Sequence, residues 1–112
     1  MYKTGEIIST SSVIREAIAP VEVIHTPEGE MLLDFGQSIN GWVQFVLWQP
    51  AGTCIRLTFG ETPQTEGIGF QCIADGSTRL IDTPCLVCGF RYVKCEGFGD
   101  ELDPVYFTAC AV

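Results

Sequence analysis

Trp42-Val43-Gln44-Phe45-Val46-Leu47-Trp48 is the stretch on which the reading of the fold turns. Successive residues of a strand point to opposite faces, so Val43, Phe45 and Leu47 form one row while Trp42, Gln44, Val46 and Trp48 form the other. Gln44 alone interrupts two otherwise apolar rows. A strand apolar on both faces is one covered from both sides. The run therefore predicts an interior strand with a covering partner over its second face, either another domain of a longer chain or a second copy. The strand that follows is different in kind. Ile55, Leu57 and Phe59 alternate with Cys54, Arg56 and Thr58, the pattern of a strand with one buried face.

Farther out, apolar or alternating runs occupy Val21 to His25, Met31 to Phe35, Gly41 to Trp48, Thr53 to Phe59, Gly69 to Ala74, Thr78 to Asp82, Gly89 to Glu96 and Pro104 to Val112. Breaks rich in Gly, Pro and Asp separate them: Pro27-Glu28-Gly29, Pro50-Ala51-Gly52, Pro63 to Gly67, Asp75-Gly76, Thr83-Pro84 and Gly97-Phe98-Gly99-Asp100. These residues supply the backbone angles that turns require. Helix has little to build with: only Ser11 to Ile18 offers a turn or two, with Ser12 as cap and Pro20 as stop. About eight short strands with no helix to cover them bury their apolar faces only against a second sheet or by closing up. The expectation is an all-β fold, an antiparallel β-sandwich or jelly roll, in one domain over residues 1–112 with 1–19 as a peripheral segment.

Composition narrows the function. The 112 residues carry six Lys and Arg against fourteen Asp and Glu, a formal net charge of -8, with 46% hydrophobic and 18% charged residues. That charge has the wrong sign for a phosphate backbone, which excludes nucleic acid as an expected partner. It also disfavours anionic membranes, and no apolar run approaches the roughly 20 residues that span a bilayer. Met1 to Ser12 lacks the basic and apolar regions of a signal peptide, so the expected location is cytoplasmic.

The six cysteines are Cys54, Cys72, Cys85, Cys88, Cys95 and Cys110. Three disulfides would be the first reading in a secreted chain of this length, and the missing signal argues against it. Cys54 and Cys95 fall in alternating segments and Cys110 in an apolar run, where a thiol acts as a small buried hydrophobe. Cys85 and Cys88 make a lone CxxC without the second close pair of a zinc ribbon, and residues 89–96 read as strand, not the helix a thioredoxin-type pair needs. Neither a metal nor any other cofactor is expected.

A resemblance to a known family rests on three pieces. Leu33-Asp34-Phe35-Gly36-Gln37-Ser38-Ile39-Asn40-Gly41-Trp42-Val43 resembles the D-F-G-Q-N-x-x-G-W-V signature of bacterial α-L-rhamnosidases. Pro50-Ala51-Gly52-Thr53 and Phe59-Gly60-Glu61 are similar to the turn and strand end that come next in those proteins. Gly89-Phe90-Arg91-Tyr92-Val93, followed by Glu96-Gly97, is similar to their G-F-R-Y-V-x-V-x-G segment. The resemblance covers about residues 20–112 and implies a concanavalin-like, galactose-binding-like β-sandwich that precedes the catalytic (α/α)6 barrel of those glycoside hydrolases. Catalysis there belongs to the barrel, whose acid and base have no counterpart in this sequence. The chain also departs from the pattern, with Ser38 for Asn, Val87-Cys88 for an aromatic-His pair, and a shortened stretch between Gly69 and Gly89.

Asp34, Gln37, Asn40 and Trp42 cluster where one strand ends and the next begins, and with Trp48 they are the candidate sugar ligands, for a rhamnose-containing carbohydrate. Such sites set a few planar polar groups and an aromatic face in an apolar cleft. A second reading has Asp34 and Asn40 hydrogen-bonding backbone amides in the turn around Gly36, and Trp48 as a packing residue. Arg56 and Arg91 sit in apolar strands and call for carboxylate partners such as Glu61 or Glu96. For hydrolysis two carboxylates must face each other across a cleft. Glu28 and Glu30 lie at a turn, and Asp100, Glu101 and Asp103 read as a solvated acidic loop. His25, the one histidine, reads as an ordinary strand residue. The expected function is that of a non-catalytic accessory domain supporting a catalytic unit. A stand-alone carbohydrate-binding module and a self-associating structural protein are the alternatives, and no catalytic residue is assigned.

Overall fold

The computed structural model describes residues 16–64, 69–83, 88–99 and 102–112, with Cys88 described for its backbone alone. Among these residues eight strands run in chain order: β1 Glu16–Ile18, β2 Glu22–His25, β3 Met31–Leu47, β4 Cys54–Gly60, β5 Gly69–Ile73, β6 Arg79–Asp82, β7 Cys88–Glu96 and β8 Phe107–Ala111. One turn of 3-10 helix, Pro104–Tyr106, leads into β8, with the Asp103 carboxylate accepting from the Val105 amide at its start. All the pairings are antiparallel, in the order β1-β8-β3-β7-β4-β5, with β2 and β6 also on β3.

β3 organises the rest. Along one edge it pairs first with β2 and then with β8; along the other, first with β7 and then with β6. Its register against β7 shifts between Asp34 and Ile39, where residues 35–38 oppose Arg91 alone. Extra residues on one strand bend it and increase its twist. Gly36 makes the bend feasible with φ +78, a conformation that costs other residues strain. Farther along, Gly41 lets β8 approach: a Cβ there would collide with the Cys110 carbonyl.

The bend folds the sheet on itself. Phe45 on β3 and Phe70 on β5 are three strand spacings apart in the order, about 14 Å in a flat sheet, yet their ring centroids lie 6.2 Å apart. Between the facing halves sits a continuous core of Leu33, Phe35, Val43, Phe45, Leu47, Ile55, Leu57, Phe59, Phe90 and Val93, among others. Phe45 stacks on Phe107 at 5.7 Å, and Phe90 meets Phe35 and Phe59 edge-on at 5.8 and 5.1 Å. Burying each such ring contributes about 1.5–3 kcal/mol relative to exposure. The all-β antiparallel sandwich expected from the sequence is the architecture found.

Several expectations need correction. Met31 to Phe35 and Gly41 to Trp48 are not separate strands but the two ends of β3, because β7 pairs across both. Residues 16–18, placed in a helical turn, are a strand: pairing of Glu16, Ala17 and Ile18 with β8 overrides the local signals. The remainder of that turn, residues 11–15, lies outside the described residues, as do Cys85 and the Cys88 side chain of the CxxC, and Asp100 and Glu101 of the acidic loop. Cys54 is exposed, not buried, since its side chain takes the outer row of β4. Cys95 and Cys110 are buried free thiols and Cys72 is half-buried.

Candidate functional site

The second row of β3 behaves as its composition predicts in part. Trp42 is buried, Gln44, Val46 and Trp48 are half-buried, and Val43, Phe45 and Leu47 on the other row are fully enclosed. Register places Cys110 and Thr108 of β8 beside Trp42 and Gln44, and Asp82 and Leu80 of β6 beside Gln44 and Val46. Residues directly opposite share a face, so Trp42, Val46, Leu80 and Cys110 form an apolar surface outside the core. Leu80 is its most open member, 62% exposed. The polar groups of this face bind one another: the Trp42 indole donates to Asp82 Oδ1 at 3.1 Å and the Gln44 amide to the same oxygen at 3.2 Å. Those bonds tie the Trp42 and Gln44 side chains of β3 to Asp82 of β6. The sequence reading missed Leu80 and Asp82, because only the pairing of β6 with β3, distant in sequence, brings them there.

The polar residues at the bend form a separate cluster. Asp34 is buried and its carboxylate accepts from Arg91 Nε at 2.9 Å and Nη2 at 3.1 Å, while Oδ1 also accepts from the Gly36 amide at 2.7 Å. The Arg91 hydrogen bonds hold the Asp34 carboxyl below its ordinary value; burial opposes them and the Gly36 amide adds to them. Arg91 in turn lies 5.0 Å from the Tyr92 ring centroid, a cation-π distance. Arg91's partner is thus Asp34, not Glu61 or Glu96. Glu61 instead accepts from the Ser38 hydroxyl at 2.8 Å. Arg56 stands opposite Glu96 in register.

Of the five candidate sugar ligands, Asp34 performs the turn role through Gly36 and has both oxygens engaged. Trp42 has given its N–H to Asp82. Gln37 and Asn40 are exposed on the bend and just beyond it, and Trp48 is half-buried at the far end of the ribbon, beside Gln49, whose side-chain oxygen accepts from the Trp48 amide. The structure therefore places the five along β3 and just past its end. Two further acids have structural tasks: Glu30 pairs with Lys94 at 3.3 Å, and Asp75 accepts from Ser77. Among the described residues there is no group of three or more His, Cys, Asp or Glu placed to hold a metal ion. His25 pairs with Met31 in β2 as an exposed strand residue.

Residues 24–112 match the family described as the bacterial alpha-L-rhamnosidase concanavalin-like domain. The chain belongs to that family. Solved structures agree in fold. An α-L-rhamnosidase from Aspergillus terreus superposes with a TM-score of 0.76 at 23% identity over 87% of this chain and 13% of its own. One from Dictyoglumus thermophilum gives 0.75 at 20% over 87% and 12%, and one from Streptomyces avermitilis, complexed with L-rhamnose, gives 0.76 at 23% over 88% and 11%. No curated protein matches the chain. The concanavalin-like domain accordingly spans only about an eighth of those rhamnosidases, and this chain corresponds to an accessory domain, not to a catalytic unit. The family match covers both ends of β3, the bend and the Gly89-Phe90-Arg91-Tyr92-Val93 segment of β7, so the Asp34–Arg91 pair lies within it.

Proposed function

We propose that this concanavalin-like domain works as a docking module, holding a neighbouring domain of a longer α-L-rhamnosidase against the second face of β3. The observation that carries the reading is that face itself: Val46 and Trp48 are half-buried and Leu80 is 62% exposed, beside a buried Trp42 whose polar atom is already satisfied. An apolar surface on which the Trp42 indole and Gln44 amide are already engaged by Asp82 suits a protein neighbour, since those donors are not free to orient a sugar. The polar bend, with Asp34 bound to Arg91 and Ser38 to Glu61, acts as a brace that keeps the two halves of β3 at their angle.

Leu80→Lys tests the reading. On an exposed position it leaves the stability of this chain within about 0.5 kcal/mol. Within the full polypeptide, it uncouples the domain, which limited proteolysis then releases faster than from the unaltered protein. Equal rates of release, or a gene whose product has no further domain, contradict the proposal. Titration with L-rhamnose separates the carbohydrate-binding alternative: amide and indole signals of Gln37, Asn40, Trp42 and Trp48 stay in place at millimolar sugar, and saturable shifts there favour the sugar site instead.

A further inference from the structure

β5 ends the strand order, and among the described residues it pairs with β4 alone. The direction of its backbone groups follows from Ala74, whose N–H donates to the Thr53 carbonyl and whose carbonyl accepts from the Gly52 amide, both at 2.8 Å. Hydrogen-bonding direction alternates along an antiparallel strand. Cys72 and Phe70 therefore turn their groups to β4, while Gly69, Gln71 and Ile73 turn theirs outward. Native sheets blunt such edges with Lys, Pro, a bulge or a covering element. Gly69-Phe70-Gln71-Cys72-Ile73 has no charge and no proline, and it pairs with β4 without a register shift. Its outward residues are exposed, Ile73 at 55%.

We propose that this edge pairs with the same edge of a second copy, antiparallel about a two-fold axis through Gln71. The strand is self-complementary in that arrangement. Gln71 opposes its own copy and Gly69 opposes the partner's Ile73, so the residues with outward groups meet one another as hydrogen-bonded pairs and none meets an inward-turned residue. Ile73 shares a face with Gly69 and so covers the partner's Gly69, which has no side chain to obstruct it. Charge selects this edge over others. Two copies each of net charge -8 repel in general, but β5 carries no carboxylate, and the charged residue opposite Gln71 is Arg56. Arg56 and the partner's Arg56 stand three strand spacings apart, about 14 Å, beyond the roughly 8 Å over which physiological salt leaves charges unscreened. A two-strand contact buries less than the roughly 1,200–2,000 Å² of a permanent interface, so the dimer is reversible.

Sedimentation velocity over a range of chain concentrations tests this. The mass rises from 12.3 kDa towards twice that value as concentration increases. Gln71→Lys and Gln71→Glu each set like charges face to face on the axis and remain monomeric, with circular dichroism and unfolding midpoints matching the unaltered chain. An equimolar mixture of the two variants dimerises again. A monomer at every concentration overturns the proposal, as does a dimer indifferent to either charge or a mixture that stays monomeric.

Discussion

Asp34 shows how much one side chain carries here. Its carboxylate joins Arg91 on β7 to Gly36 in the bend of β3, and all three contacts favour the ionised form. Because those contacts hold the folded-state carboxyl below its ordinary 3.8, folding favours the charged species. The contribution is complete above that pH, declines as pH falls below it and is gone beneath the folded value. Urea midpoints measured from pH 7 down to about 2 should therefore fall less steeply at the acid end in Asp34→Asn than in the unaltered chain, with the variant weaker at neutral pH. The cysteines divide by burial in the same way. Burial, with Glu96 adding to it, pushes the Cys95 thiol far above its ordinary value, and burial raises that of Cys110 as well. Native alkylation with iodoacetamide, read by peptide mass, labels Cys54 first among the described cysteines and reaches Cys95 and Cys110 only after denaturation. The turn role of Asp34 was legible from Asp-x-Gly. Its pairing with Arg91 was not, since the two meet only through the register of β3 with β7.

At the scale of the element, β3 is the lesson. Alternation of Val43, Phe45 and Leu47 identified an interior ribbon, and both neighbours are present: β8 on one edge and β6 on the other. Phe45 is fully buried against Phe70, Phe98 and Phe107, so Phe45→Ala lowers stability by about 3–5 kcal/mol, measurable by urea unfolding. Gly41→Ala drives a methyl group into the Cys110 carbonyl, which only separation of β3 from β8 relieves. Its loss is comparable, although Ala is the better former of regular structure. What the sequence hid was continuity. Gly36 and the polar residues after it signal a turn and a bulge equally well, because both need a positive φ and unpaired backbone. Only β7, pairing on either side of the bend, distinguishes them. β1 failed for a related reason: Ser12 and Pro20 are local helix signals, and residues 16–18 answer to β8 instead.

For the whole molecule, the sequence motifs sufficed to point to the rhamnosidase family and to an accessory role, because they are carried by contiguous residues of β3, β4 and β7. The proposed docking surface was legible only as a row on one strand. Leu80 and Asp82 complete it from β6, and nothing local in Thr78 to Asp82 announces that neighbour. The candidate sugar ligands, near one another in sequence, are strung along β3 and its end: the bend lies between Asp34 and Asn40, and Trp48 stands six residues on from Trp42. A domain of net charge -8 whose interior strand carries an apolar face with Asp82 as its carboxylate suits the proposed neighbour across that face. Hydroxyl-radical footprinting of Trp48 and Leu80, in this chain alone and within its full polypeptide, is the most direct measurement. The account predicts strong labelling of both in the isolated chain and severalfold protection of both in the full polypeptide; equal labelling in the two would contradict it.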